Sequence, residues 1–108
     1  MDFTIPNEWV EFGDALIKFI DREVVALEHE HRVLLRSERT IYTEEGRYVP
    51  AVQDLRRTVR KRSAELGFYT AFGDEALGGG GLGAQAAVYV QERVNTHCGP
   101  ARVLVQTV

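Results

Sequence analysis

The sequence predicts an all-α fold, an antiparallel helical bundle fragment of about four helices with the last cut at the chain end. Three observations predict it. Apolar residues recur at spacings of three and four along most of the 108 residues, the period of a helix with one buried face. Proline and glycine stand where those periodic stretches begin and stop. No stretch shows the clean alternation of a half-buried strand, and no internal repeat is visible.

Ile5, Pro6 and Asn7 lead into Trp9, Phe12, Leu16, Phe19, Ile20, Val24 and Leu27, which share one face of a first helix. Asn7 is suited to cap it, with Glu8 and Glu11 near the positive end of the helix dipole. Asp14 and Lys18 lie one turn apart on the outer side, in the order that supports a helix. From Glu28 to Val49 the period weakens: Thr40, Thr43, Glu44, Glu45 and Gly46 read as a polar loop, and Val33 to Arg39 add a turn or two of helix.

Pro50 opens a second helix at its first-turn position, where a missing N–H costs nothing. Val52, Leu55, Val59 and Leu66 repeat at helical spacing, Ser63 fills the remaining slot, and Gly67 ends the helix as a left-handed cap. These residues are expected to cover the stripe of the first helix. Ala86, Ala87, Val90 and Val94 mark a third helix, flanked by Tyr89 and terminated by Gly99 and Pro100. Ala101, Leu104, Val105 and Val108 then begin a fourth stripe that stops without a polar cap. Left open, it predicts a homo-oligomer formed by self-association or by a swapped helix.

Composition narrows the class. The chain is 44% apolar and 27% charged, which is ordinary for a globular protein, and it has room for one small domain. Its longest apolar run, Ala86 to Val90, is five residues, whereas a membrane span takes roughly 20 and the apolar part of a signal peptide roughly 7 to 15. Neither is expected, so the expected location is cytoplasmic. A single cysteine, Cys98, leaves no partner for an internal disulfide or an all-cysteine metal site.

The net charge of −3 is unevenly spread. Residues 1–31 carry eight acids and two bases, residues 32–62 four acids and nine bases, and residues 63–108 four acids and two bases. The row Arg56, Arg57, Arg60, Lys61 and Arg62 has the charge to track phosphates. Against that stand the acidic whole, the lack of interleaved aromatics and a helical setting that turns most of the row to solvent. A solvated face is expected, and no nucleic acid partner.

Gly78-Gly79-Gly80-Gly81-Leu82-Gly83 contains a literal G-x-G-x-x-G. A dinucleotide fingerprint also needs a preceding strand and an acid about 20 residues on, and Phe72 to Leu77 makes a poor strand while Arg102 and Val103 stand at the acid's place. The expected role is structural: Gly78, Gly79 and Gly81 allow positive φ and close backbone approach between two helices. His29 and His31 straddle Glu30 and would point to different sides of a helix, so they are not expected to share a metal. His97 beside Cys98 lacks a third orienting group, and Cys98 reads as a packed, unreactive thiol. Asp74 and Glu75 suit solvation better than paired acid and base work. No catalytic constellation emerges.

Three segments together carry a resemblance: Phe19-Ile20-Asp21-Arg22-Glu23-Val24-Val25-Ala26-Leu27-Glu28, then Ala64-Glu65-Leu66-Gly67-Phe68-Tyr69, then Glu75-Ala76-Leu77-Gly78-Gly79-Gly80-Gly81-Leu82-Gly83. In order and spacing the chain resembles the N-terminal helical domain of the acyl-CoA dehydrogenase family. It departs at Asp74, where the family usually has proline, and in a longer stretch from Glu28 to Pro50.

The resemblance implies a parent flavoenzyme that removes two hydrogens across the α and β carbons of an acyl-CoA thioester, with FAD as hydride acceptor and electron-transfer flavoprotein as redox partner. It also implies that the flavin and the catalytic glutamate belong to later domains, so this segment alone is expected to hold no FAD and to be inactive. Its implied part is to pack on those domains and wall the acyl pocket, with Ala101 and Val105 as the pocket-facing positions. Two other readings stay open: a free-standing helical interaction module whose glycine loop is a hinge, and the same domain of a related flavoprotein oxidase or monooxygenase.

Overall fold

The computed structural model describes residues 4–73, 80–99 and 102–105. The first apolar stripe forms one unbroken helix in three parts: α1 (Asn7–Phe19), a π-helical turn (Ile20–Val24) and α2 (Val25–Glu30). Its inner face is as expected at the centre, where Leu16, Phe19, Ile20 and Val24 are buried, while Trp9, Phe12 and Leu27 are half-buried. Asn7 is not the cap. Pro6 takes that position, its carbonyl accepting from the N–H groups of Trp9 and Val10 at 3.0 and 3.3 Å, and Asn7 Nδ2 instead donates to Glu11 Oε1. Proline has no N–H to leave unpaired, so it can lead the chain in at little cost.

A short helix, α3 (Glu38–Ile41), follows, and the expected polar loop closes as a miniature hairpin. Thr43 N–H donates to the Arg47 carbonyl, Gly46 turns the chain at φ +78°, and Tyr42 faces Tyr48 across an isolated antiparallel bridge. Among the described residues this bridge is the only β pairing, and the class is all-α.

Helix α4 (Pro50–Glu65) starts with Pro50 in its first turn and buries Val52, Leu55, Val59 and Ser63. Gly67, at φ +85°, donates to the Ala64 carbonyl, and Phe68 N–H reaches back to the Ser63 carbonyl at 2.9 Å. This pair of bonds satisfies the last carbonyls of the helix and is the glycine-capped ending the sequence predicts. Leu66 differs from expectation: it is 44% exposed. The helix ends one residue before it, and Phe68 takes the inner place, edge-on to Phe12 and tilted against Phe19.

Helix α5 (Gly83–Cys98) buries Ala86 and Val90 and ends at Gly99, φ +79°. The contacts fix the directions. Residues near the start of α1 share a cleft with Leu66 and Gly67, and those near Leu27 share one with Thr58, so α4 runs antiparallel to the first helix. Helix α5 returns parallel to it: Trp9 meets Tyr89, Asp14 meets Arg93, Asp21 meets His97 and Glu28 meets Arg102. The arrangement is up, down, up, with sequential neighbours antiparallel.

The fourth stripe is only partly within the described residues, since Ala101 and Val108 fall outside them. Residues 102–105 are a turn ending in a 3-10 residue rather than a helix. Leu104 is fully buried and Val105 nearly so, both in the same core as Leu16, Ile20, Leu55 and Val90. The expectation that these two need an outside surface is therefore corrected: the chain folds back and covers them itself.

Candidate functional site

Two features meet along the seam between the first helix and α5. The first is a ladder of charge contacts. Arg93 Nη2 donates to Asp14 Oδ1 at 2.8 Å, and its Nη1 reaches the Val10 carbonyl at 3.3 Å. Arg93 lies over Gly13, where an added Cβ would stand 2.6 Å from Nη1. His97 Nε2 sits 3.0 and 3.1 Å from the two carboxylate oxygens of Asp21. Arg102 grips both oxygens of Glu28 through Nε and Nη2 and donates from Nη1 to the Cys98 carbonyl at 3.1 Å. The hydrogen bond to Glu28 holds the Arg102 guanidinium above its ordinary pKa, and that to Asp14 does the same for Arg93.

This ladder was not read from the sequence. Asp14 is paired with Arg93 rather than in the expected pair with Lys18. A signal was present: Asp14, Asp21 and Glu28 are spaced by seven, and Arg93 and Arg102 are the only lysine or arginine residues after Arg62. A helix places such acids near one line, which calls for bases on the neighbour.

The second feature is a groove of about 580 Å³ beside the ladder. Leu16, Ile20, Phe72 and Val90 give it apolar walls, and Gln91, Asn95 and Arg102 bring polar atoms. Its size falls within the range of small-molecule pockets, about 300–1,000 Å³. Val105, singled out as a pocket wall, is among its lining residues; Ala101 lies outside the described residues.

Other candidates separate. His29 is exposed and His31 half-buried at the helix end, and no group of three or more His, Cys, Asp or Glu suited to a metal occurs among the described residues. Cys98 is half-buried against the core, and burial pushes its thiol pKa up, which disfavours the reactive thiolate. Asp74, Glu75, Gly78 and Gly79 lie outside the described residues.

Gly81 and Gly83 have φ of +76° and +85°, and Gly80 passes so near Ala71 that a Cβ would stand 2.8 Å from its carbonyl oxygen. The N–H groups of Gly80, Gly81 and Leu82 donate to the carbonyls of Thr70, Gly73 and Ala71. Those donors are spent within the chain, and no lysine or arginine occurs between Arg62 and Arg93.

The basic row of α4 differs from its sequence reading in one respect. Tyr48 lies under Arg56, 4.4 Å from guanidinium carbon to ring centre, and Tyr69 lies 5.9 Å from Arg60. Aromatics absent between the bases in sequence arrive from the hairpin and from the segment after α4. No helix among the described residues is long and apolar enough to cross a membrane. Comparison with protein-family models, curated proteins and solved structures finds no match.

Proposed function

We propose that this chain is the front of the N-terminal helical domain of an FAD-dependent acyl-CoA dehydrogenase, packing on the flavin and catalytic domains and walling part of the acyl pocket. The observation that carries the reading is the order of three motifs: the acidic-basic first helix, the Ala64-to-Gly67 helix ending, and the glycine segment that opens α5. The groove containing Val105 supports it, because its volume and the apolar walls from Leu16, Ile20, Phe72 and Val90 suit part of an acyl chain. In this reading the parent enzyme acts on acyl-CoA, passes electrons to electron-transfer flavoprotein and works as a homo-oligomer in the cytoplasm. FAD and the catalytic carboxylate come from the remainder of the parent.

The deciding experiment is to read the coding sequence downstream of Val108 and express what it encodes. A β domain that retains yellow flavin, bleached by acyl-CoA under anaerobic conditions, is the expected result; a stop codon at that point overturns the reading. Purified alone, the chain is expected to be colourless and to leave FAD fluorescence unchanged on titration. Saturable micromolar binding would move the cofactor site into residues 78–83.

A second reading, a free-standing helical module, draws on one observation. Leu104 and Val105 are covered by the chain's own core, so that part of the terminal stripe does not ask for another domain. Retention of flavin, with bleaching by reduction and rapid return of the yellow colour as oxygen is consumed, would instead point to the oxidase and monooxygenase relatives.

A further inference from the structure

The exposed face of α4 has no role in the reading above. It carries Arg57, Arg60 and Lys61, with the half-buried Arg56 beside them, in two adjacent columns, Arg56 with Arg60 and Arg57 with Lys61 at one-turn spacing. Like charges so placed repel and weaken a helix by a few tenths of a kcal/mol per pair, about as much as opposite charges would strengthen it. Asp54 answers Arg57 at 3.2 Å in a pair about three-quarters exposed on both sides, and Glu65, one turn beyond Lys61, pairs with Arg62 at 3.4 Å.

Two of the arginines also lie within reach of aromatic rings. Arg56 lies over Tyr48 from the hairpin, and Arg60 faces Tyr69 from the segment that follows α4. A ring beneath a guanidinium fixes its plane and lowers the entropy lost when its edge meets an acceptor. We propose that this face is a docking surface for an extended acidic peptide.

Spacing and chemistry favour that partner. One-turn neighbours on a helix have Cβ atoms about 5–6 Å apart, and alternate side chains of an extended strand recur about every 7 Å. Successive carboxylates on one side of a strand can therefore each meet a cation of the row. A single-stranded nucleic acid fits less well. It binds by stacking bases on open rings, yet Tyr48 is already taken by Arg56 and by Tyr42, stacked at 5.1 Å.

The test is fluorescence polarisation with a labelled oligoglutamate peptide and, as the contrasting probe, a labelled oligothymidylate of equal charge. Saturable binding of the peptide at low salt is expected, weakened about tenfold or more between about 50 and 200 mM salt. The triple variant Arg57→Gln, Arg60→Gln, Lys61→Gln, whose sites are exposed and whose helicity is checked by circular dichroism, should lose about tenfold or more in affinity. Tyr48→Leu with Tyr69→Leu should weaken binding with less change in its salt dependence. No saturable peptide binding, undiminished binding by the triple variant, or oligothymidylate bound as tightly as the peptide would each overturn the proposal.

Discussion

Leu16 and Leu55 show how much a single side chain carries here. Both are at least nine-tenths buried in one cluster, Leu16 from the first helix and Leu55 from α4. Truncation of either to alanine should cost about 2–5 kcal/mol, a large part of the stability of a small domain, and urea denaturation will measure it. Cys98 makes a prediction in pH. Burial keeps its folded thiol protonated to higher pH than an unfolded thiol. Above the ordinary thiol range the unfolded chain binds fewer protons than the folded one, so stability should fall as pH rises through that range. Cys98→Ser should flatten the slope, as measured by denaturation at a series of pH values.

Among the elements, the seam between the first helix and α5 depends on the ladder as well as on the core. Arg102 and Glu28 form a two-pronged contact whose side chains are 30% and 20% exposed, unlike the open pair of Arg57 and Asp54. A double-mutant cycle on Glu28→Gln and Arg102→Gln should give a coupling of about 1 kcal/mol, against about 0–0.5 kcal/mol for Asp54 and Arg57. Helix boundaries were legible in the sequence where backbone chemistry dictates them. Pro50 can only lead a helix, and Gly67 and Gly99 accept the positive φ that ends one. The start at Pro6 rather than Asn7 was not legible, because both residues are compatible with a helix entrance.

For the whole molecule, closure of the core rests on a segment outside the long helices. Leu104 is fully buried although it lies beyond Gly99 in a turn. Leu104→Ala should therefore destabilise the entire chain by about 2–5 kcal/mol in one cooperative transition, seen by thermal melting. A segment projecting to an outside partner would show almost no effect. The groove shares this dependence, since Val105 lines it only because the chain turns back after α5.

By itself the sequence determined the all-α class, three long helices with most of their buried faces, the glycine stops and the lack of a membrane-length apolar run. Each follows from local period or from backbone chemistry that proline and glycine impose whatever surrounds them. The tertiary structure alone decided which bases answer Asp14, Asp21 and Glu28, which tyrosines back the arginines of α4, and that Leu104 turns inward while Leu66 turns out. Those outcomes depend on how helices separated by tens of residues are laid side by side. Charge pairing and burial are set by neighbours in space, and the spacing of residues along one helix specifies only which face meets them.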